Sequence, residues 1–276
     1  VMGLFGSGKS DFEKISDLID KGLDLMANEK YQKAYDCFNK AIKIDPKYPG
    51  AWHNKGWASL VLENHEEAIT CYDEAICLGI SQHEQNPRNP FPSKSLLDKA
   101  YVLGNLGKHE ESVTCFNQIL ENNPDHDMAN YMLGLSLYQL EKYEESVVYF
   151  DKVIKLYEDE GLLEPHSFTL FDYDHEFPNR LQLGLWASKS RSLFKLKKYE
   201  LLVECASIAI DMFETWVRFG GPNATTANYN RQQFIYLWQA KGEGLKNLGL
   251  EAESDHCMSV ANDVESNSLY FLHSVF

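Results

Sequence analysis

The sequence predicts an all-α protein, a solenoid of antiparallel helix pairs. Three observations carry that prediction. One frame recurs six times along the 276 residues. Each copy holds two helical apolar patterns joined by a short turn. Small and large residues fall at matching places in successive copies, as helices that pack in series require. The composition is compatible: 44% hydrophobic residues can supply a core, and 24% charged with 13% aromatic residues lies outside the disordered class.

The copies run in order along the chain. The first reads KGLDLMANEKYQKAYDCFNKAI over residues 21–42, and the second KGWASLVLENHEEAITCYDEAI over 55–76. The third is KAYVLGNLGKHEESVTCFNQIL at 99–120, and the fourth LGLSLYQLEKYEESVVYFDKVI at 133–154. Two weaker copies follow: KSRSLFKLKKYELLVECASIAI at 189–210 and KGEGLKNLGLEAESDHCMSVAN at 241–262. Pro46 and Pro124 close the first and third, where a helix must stop.

This pattern resembles the tetratricopeptide repeat, a helix–turn–helix unit of about 34 residues. Aligned on it, the repeats start at Ile15, Pro49, Ser93, Asp127, Leu183 and Ile235. The small eighth position is Gly22, Gly56, Ala100, Gly134, Ser190 and Gly242, and the bulky twenty-fourth is Phe38, Tyr72, Phe116, Phe150, Ala206 and Met258. Two residues depart from the pattern: Asn130 at the bulky fourth position and an oversized Leu202 at the twentieth. The resemblance implies a right-handed superhelix with an inner groove lined by the first helix of each repeat. The repeats occupy 15–48, 49–82, 93–126, 127–160, 183–216 and 235–268, interrupted by insertions at 83–92, 161–182 and 217–234. Residues 1–14 read as a flexible terminus with a helix cap, and 269–276 as a capping tail. All three insertions follow a second helix, so they are expected on one edge; parts of the last two can lengthen a helix.

Motifs that invite a chemical reading do not assemble into a catalytic set. GLFGSGKS at residues 3–10 satisfies the phosphate-loop pattern, but no strand pattern delivers it and no parallel-sheet pattern follows. Ser10-Asp11-Phe12-Glu13 reads instead as a capping box opening the first helix. Five of six cysteines, Cys37, Cys71, Cys115, Cys205 and Cys257, share the twenty-third position, about 10 Å apart in neighbouring repeats and beyond disulfide reach. Free thiols of this kind fit a reducing cytoplasm. His65 and His109 precede Glu66-Glu67 and Glu110-Glu111 at equivalent places near helix starts. Asp172, Asp174, His175 and Glu176 form an acidic loop with nothing to fix a cation's geometry. No cofactor or metal is expected, and the chain reads as non-catalytic.

The groove is where the resemblance implies function. The chaperone-tail clamp of the family needs Lys, Asn and Arg, and only Asn54 and Lys94 match; Ile19, Leu23 and Asp98 break it. An aromatic, Met-containing face remains. Asn54, Trp57, Lys94, Tyr101, Tyr131, Met132, Leu135, Tyr138 and Arg191 are the candidate contacts for a peptide or helix of a protein partner. The same aromatic stripe could instead be packed core, or be filled by the apolar tail from Ser268 to Phe276. The alternatives are a nucleotide-regulated or enzyme-associated module using GLFGSGKS, or a homo-oligomeric assembly unit; monomer and homodimer both stay open.

The 26 basic and 41 acidic side chains give a net charge of -15, which argues against nucleic acid as partner, and no stretch approaches a membrane span. Between Tyr157 and Glu176, and again from Asn247 to the end, acidic residues occur without any Lys or Arg. The acidity is concentrated in the second insertion and the C-terminal repeat.

Overall fold

A computed structural model describes residues 9–160, 177–218 and 224–266, and all the described regular structure is helical. The chain divides after Pro124 into two compact units. In the first unit, α1 (Asp11–Ala27) pairs with α2 (Tyr31–Ile44), α3 (Pro49–Val61) with α4 (His65–Gln85), and α5 (Ser93–Asn105) with α6 (His109–Asn122). In the second, α7 (Asp127–Gln139) pairs with α8 (Tyr143–Asp159), α9 (Phe177–Lys195) with α10 (Tyr199–Arg218), and α11 (Ala224–Asn247) with α12 (Glu251–Ser266).

Local chemistry sets the helix ends. Ser10 caps α1 in a complete capping box: its hydroxyl accepts from the Glu13 N–H, and the Glu13 carboxylate accepts from the Ser10 N–H at 2.7 Å. Pro49 opens α3 in the first turn, where its missing N–H is not needed. Acidic pairs Glu66-Glu67, Glu110-Glu111 and Glu144-Glu145 sit in the first turns of α4, α6 and α8, against the positive end of each helix dipole. Every hairpin turn holds one residue in the left-handed region, always the fifteenth of its repeat: Glu29, Glu63, Gly107, Glu141, Lys197 and Gly249.

Within each hairpin the small eighth position admits the large twenty-fourth. A Cβ added to Gly56 would lie 2.8 Å from the Tyr72 ring, and one on Gly134 2.6 Å from the Phe150 ring, so only glycine allows that approach. Repeat five solves the problem differently. Ala206 leaves the large position small and Leu202 enlarges the twentieth; both are fully buried, and Leu202 faces Gly244 on α11. Asn130, at the bulky fourth position, is also buried, and its amide donates to the His126 carbonyl at 2.9 Å. That bond gives the buried amide nitrogen its acceptor.

Parts of the interruptions lie among the described residues. Residues 86–92 form an ordered loop: the Asn89 amide donates to the Gln82 carbonyl, His83 Nδ1 lies 2.6 Å from the Asn89 carbonyl oxygen, and Pro92 packs on Gly79. Part of the expected insertion 217–234 lengthens a helix. α11 already runs from Ala224, and Phe234 is fully buried in the core with Phe213, Leu202 and Trp186. α9 likewise begins at Phe177, inside the expected insertion 161–182. The acidic cluster Asp172–Glu176, residues 3–8 of GLFGSGKS and the tail 269–276 lie outside the described residues.

All six cysteines are free, five of them buried and Cys77 exposed. Burial raises the thiols of Cys71 and Cys205 to about 11, so they remain protonated and act as small apolar side chains.

Candidate functional site

The first helices of successive repeats carry the candidate contacts, and the structure sorts these into two settings. In the first unit they lie on α3 and α5. Trp57 is 40% exposed and Tyr101 50%, and both are the ninth residue of their repeats. Asn54 is half-buried beside Trp57, one turn earlier on α3, and Lys94 is exposed at the start of α5. Below them sits a polar junction. His53 Nδ1 lies 3.0 Å from the Ser95 hydroxyl, and its Nε2 is 3.6 Å from Asp98, too far for a hydrogen bond.

Burial, and then Lys94, hold the His53 imidazole down at about 4. Burial pushes the Asp98 carboxyl up, with Lys94 opposing. His53 is therefore neutral near pH 7, and its approach to Asp98 is a contact with no ion pair in it. The face thus presents two half-exposed aromatic rings above a partly buried carboxyl and a neutral imidazole. His53 and Ser95 are both buried beneath the rings, and Asp98 is half-buried.

In the second unit the same repeat positions are largely absorbed. Tyr131 and Leu135 on α7 pack against the core, Tyr131 tilted to Phe150 with ring centroids 6.0 Å apart. Met132 is half-buried beside them. Tyr138 stands edge-on to Tyr143 at 5.4 Å. Arg191 on α9 donates to Gln233 at 3.1 Å and lies 4.3 Å from the Tyr236 ring centroid, both on α11. α9 packs directly along α11, whereas in the first unit α3 and α5 touch only briefly. Arg191 is a tie between two first helices. Gln233 and Tyr236 are its partners; the first lies where the sequence suggested an insertion.

The N-terminal phosphate-like motif meets a different fate. Lys9 pairs with Asp17. The Ser10–Glu13 box occupies the Ser10 and Glu13 N–H groups and places a carboxylate at the start of α1. No helix among the described residues is long and apolar enough to cross a membrane.

Comparison with known proteins agrees with the geometry. Models of the tetratricopeptide repeat match residues 17–48, 37–70 and 97–160. A TPR repeat-containing protein of Methanocaldococcus jannaschii is 25% identical over 142 residues, 51% of this chain and 23% of that protein. The chain therefore spans about a quarter of that relative. Among solved structures, the MamA protein superposes with a TM-score of 0.59 at 12% identity, covering 77% of this chain and 98% of that one. YrrB, a TPR protein described as having an unusual peptide-binding site, does so with a TM-score of 0.53 at 15% identity, over 81% of this chain and 98% of its own. With six helix pairs, the close contact of eighth and twenty-fourth positions, and these matches, the chain belongs to the tetratricopeptide repeat proteins.

Proposed function

We propose that the chain is a non-catalytic scaffold that binds a peptide or helical segment of a protein partner on the inner face of its repeats. The observation that carries this is the pair Trp57 and Tyr101, half-exposed at one position of successive first helices. Large aromatic side chains left in water at equivalent places are what a partner's apolar groups would cover. Asn54 and Lys94 supply polar contacts beside them, and Tyr131, Met132, Leu135, Tyr138 and Arg191 serve chiefly to hold the second unit's inner face in shape. The net charge of -15 disfavours nucleic acid, and six free cysteines suit a reducing, cytoplasmic setting.

The test is affinity capture from native lysate with the wild-type chain and with Trp57→Ala/Tyr101→Ala, read by mass spectrometry. Both side chains are substantially exposed, so the variant should keep its melting temperature and lose the captured partner. Equal capture by the two forms would remove this face from the account.

A further inference from the structure

The nineteenth and twenty-sixth residues of each repeat lie seven apart on the second helix. In the first four repeats both are charged or polar: Lys33 and Lys40, Glu67 and Glu74, Glu111 and Gln118, Glu145 and Lys152. Repeat six keeps Glu253 and packs Val260 against the core. Repeat five alone replaces both by exposed aliphatic residues, Leu201 at 50% and Ile208 at 40% exposure. They are about 10 Å apart along α10, two turns of helix.

Beside them a cleft of about 350 Å³ opens between α8, α9 and α10. Its apolar wall is Val147, Ile154, Trp186 and Leu193 together with Leu201 and Ile208. Asp151 in the wall is taken by Lys189 at 2.6 Å. Glu158 and Glu204 line the same cleft against one further cation, Lys155. Glu200 and Asp211 add exposed acids at spacings of four and seven from Glu204 on α10. The cleft is thus apolar inside and acidic at its edge.

We propose that this cleft is a second docking site, and that its occupant is an amphipathic helix of a partner protein carrying Lys or Arg beside its apolar stripe. Two apolar side chains seven residues apart match the repeat distance of a partner helix lying along α10. The acidic edge selects basic flanks. A second copy of this chain fits poorly, because each copy carries a net charge of -15. The site is on second helices and the α9 floor, separate from Trp57 and Tyr101, so its failure leaves the inner-face reading standing.

The probe is a fluorescein-labelled Leu/Lys peptide of about 18 residues with leucines at helical spacing, followed by anisotropy. Wild-type protein should bind it, and Leu201→Gln/Ile208→Gln should weaken binding at least tenfold with an unchanged melting temperature. Glu158→Gln/Glu204→Gln should weaken binding at low salt and flatten its salt dependence; these surface changes leave the core untouched and test the site even if the first variant is unstable. The proposal is overturned if wild type ignores the peptide, if the Gln pair at 201 and 208 binds it equally, or if salt dependence survives loss of both glutamates. Self-association by light scattering that vanishes in Leu201→Gln/Ile208→Gln would also overturn it, by making a second copy the occupant.

Discussion

The α3–α5 face and the α9–α11 face use equivalent positions of one repeat and reach opposite results. On the first, Trp57 and Tyr101 project half-exposed over a polar junction, and the two helices barely touch. On the second, α11 is extended at its N-terminal end, Phe234 fills the core, and Arg191 is tied to Gln233 and Tyr236. The lesson is that a repeat position does not fix a role. At Arg191 the next first helix, α11, supplies the partners that Trp57 lacks on α5.

That contrast can be broken from the core side, where the effect is largest. Phe234→Ala removes a fully buried ring from the cluster that holds α9, α10 and α11 together. It should cost about 3–5 kcal/mol in chemical denaturation. Trp57→Ala, on the open face, should stay within about 0.5 kcal/mol, as surface substitutions do. Comparable losses from the two changes would mean that the first face is as closed as the second.

The open face also carries a distinct acid sensitivity. The His53 imidazole takes a proton near 6.5 when unfolded and only near 4 when folded. Its contribution to stability is therefore retained above about pH 6.5 and lost as pH falls from there to 4, by at most about 3 kcal/mol. Asp98 works in the opposite sense: burial raises its carboxyl in the folded protein, so falling pH relieves the penalty of a buried charge. Lys94 is the other charged group at this junction, and Ser95 and Tyr72 the neutral ones. His53→Asn should flatten the melting temperature between pH 6.5 and 4, leaving only the opposing Asp98 trend. Parallel profiles for variant and wild type would remove His53 as the source.

Most of the architecture was legible because packing geometry forces local residue choices. A glycine facing Tyr72 or Phe150 at a fixed spacing is close to a statement that two helices touch there. The departures were visible as letters while their solutions were not. Leu202 and Ala206 depart in opposite senses, and in three dimensions both are fully buried in the same core. Asn130 looks misplaced until the His126 carbonyl is seen to accept from its amide. The open and closed faces were indistinguishable in sequence, because helical aromatic spacing is the same for both. What separates them is the course of α11 from Ala224, in residues with no repeat signature. The substitution of Leu201 and Ile208 for polar residues is legible once the second helices are aligned.

The smallest effect bears on the hairpin turns, which both units share. The fifteenth residue is left-handed in all six, yet glycine only in repeats three and six; elsewhere it is Glu29, Glu63, Glu141 and Lys197. A side chain in that region is disfavoured by contact between its Cβ and the following carbonyl. Gly107 and Gly249 have nothing within 4 Å of an added Cβ, so the constraint there is backbone conformation and owes nothing to neighbours. Glu141→Gly should relieve this strain, gaining up to about 1 kcal/mol less the entropy that glycine adds to the unfolded chain. Gly107→Ala should lose about 1 kcal/mol by the same reasoning run backwards. Opposite signs in the two units, measured by urea midpoints at constant slope, would confirm that the turns are interchangeable. A loss from both substitutions would show that the Glu141 side chain makes a contribution its backbone geometry does not reveal.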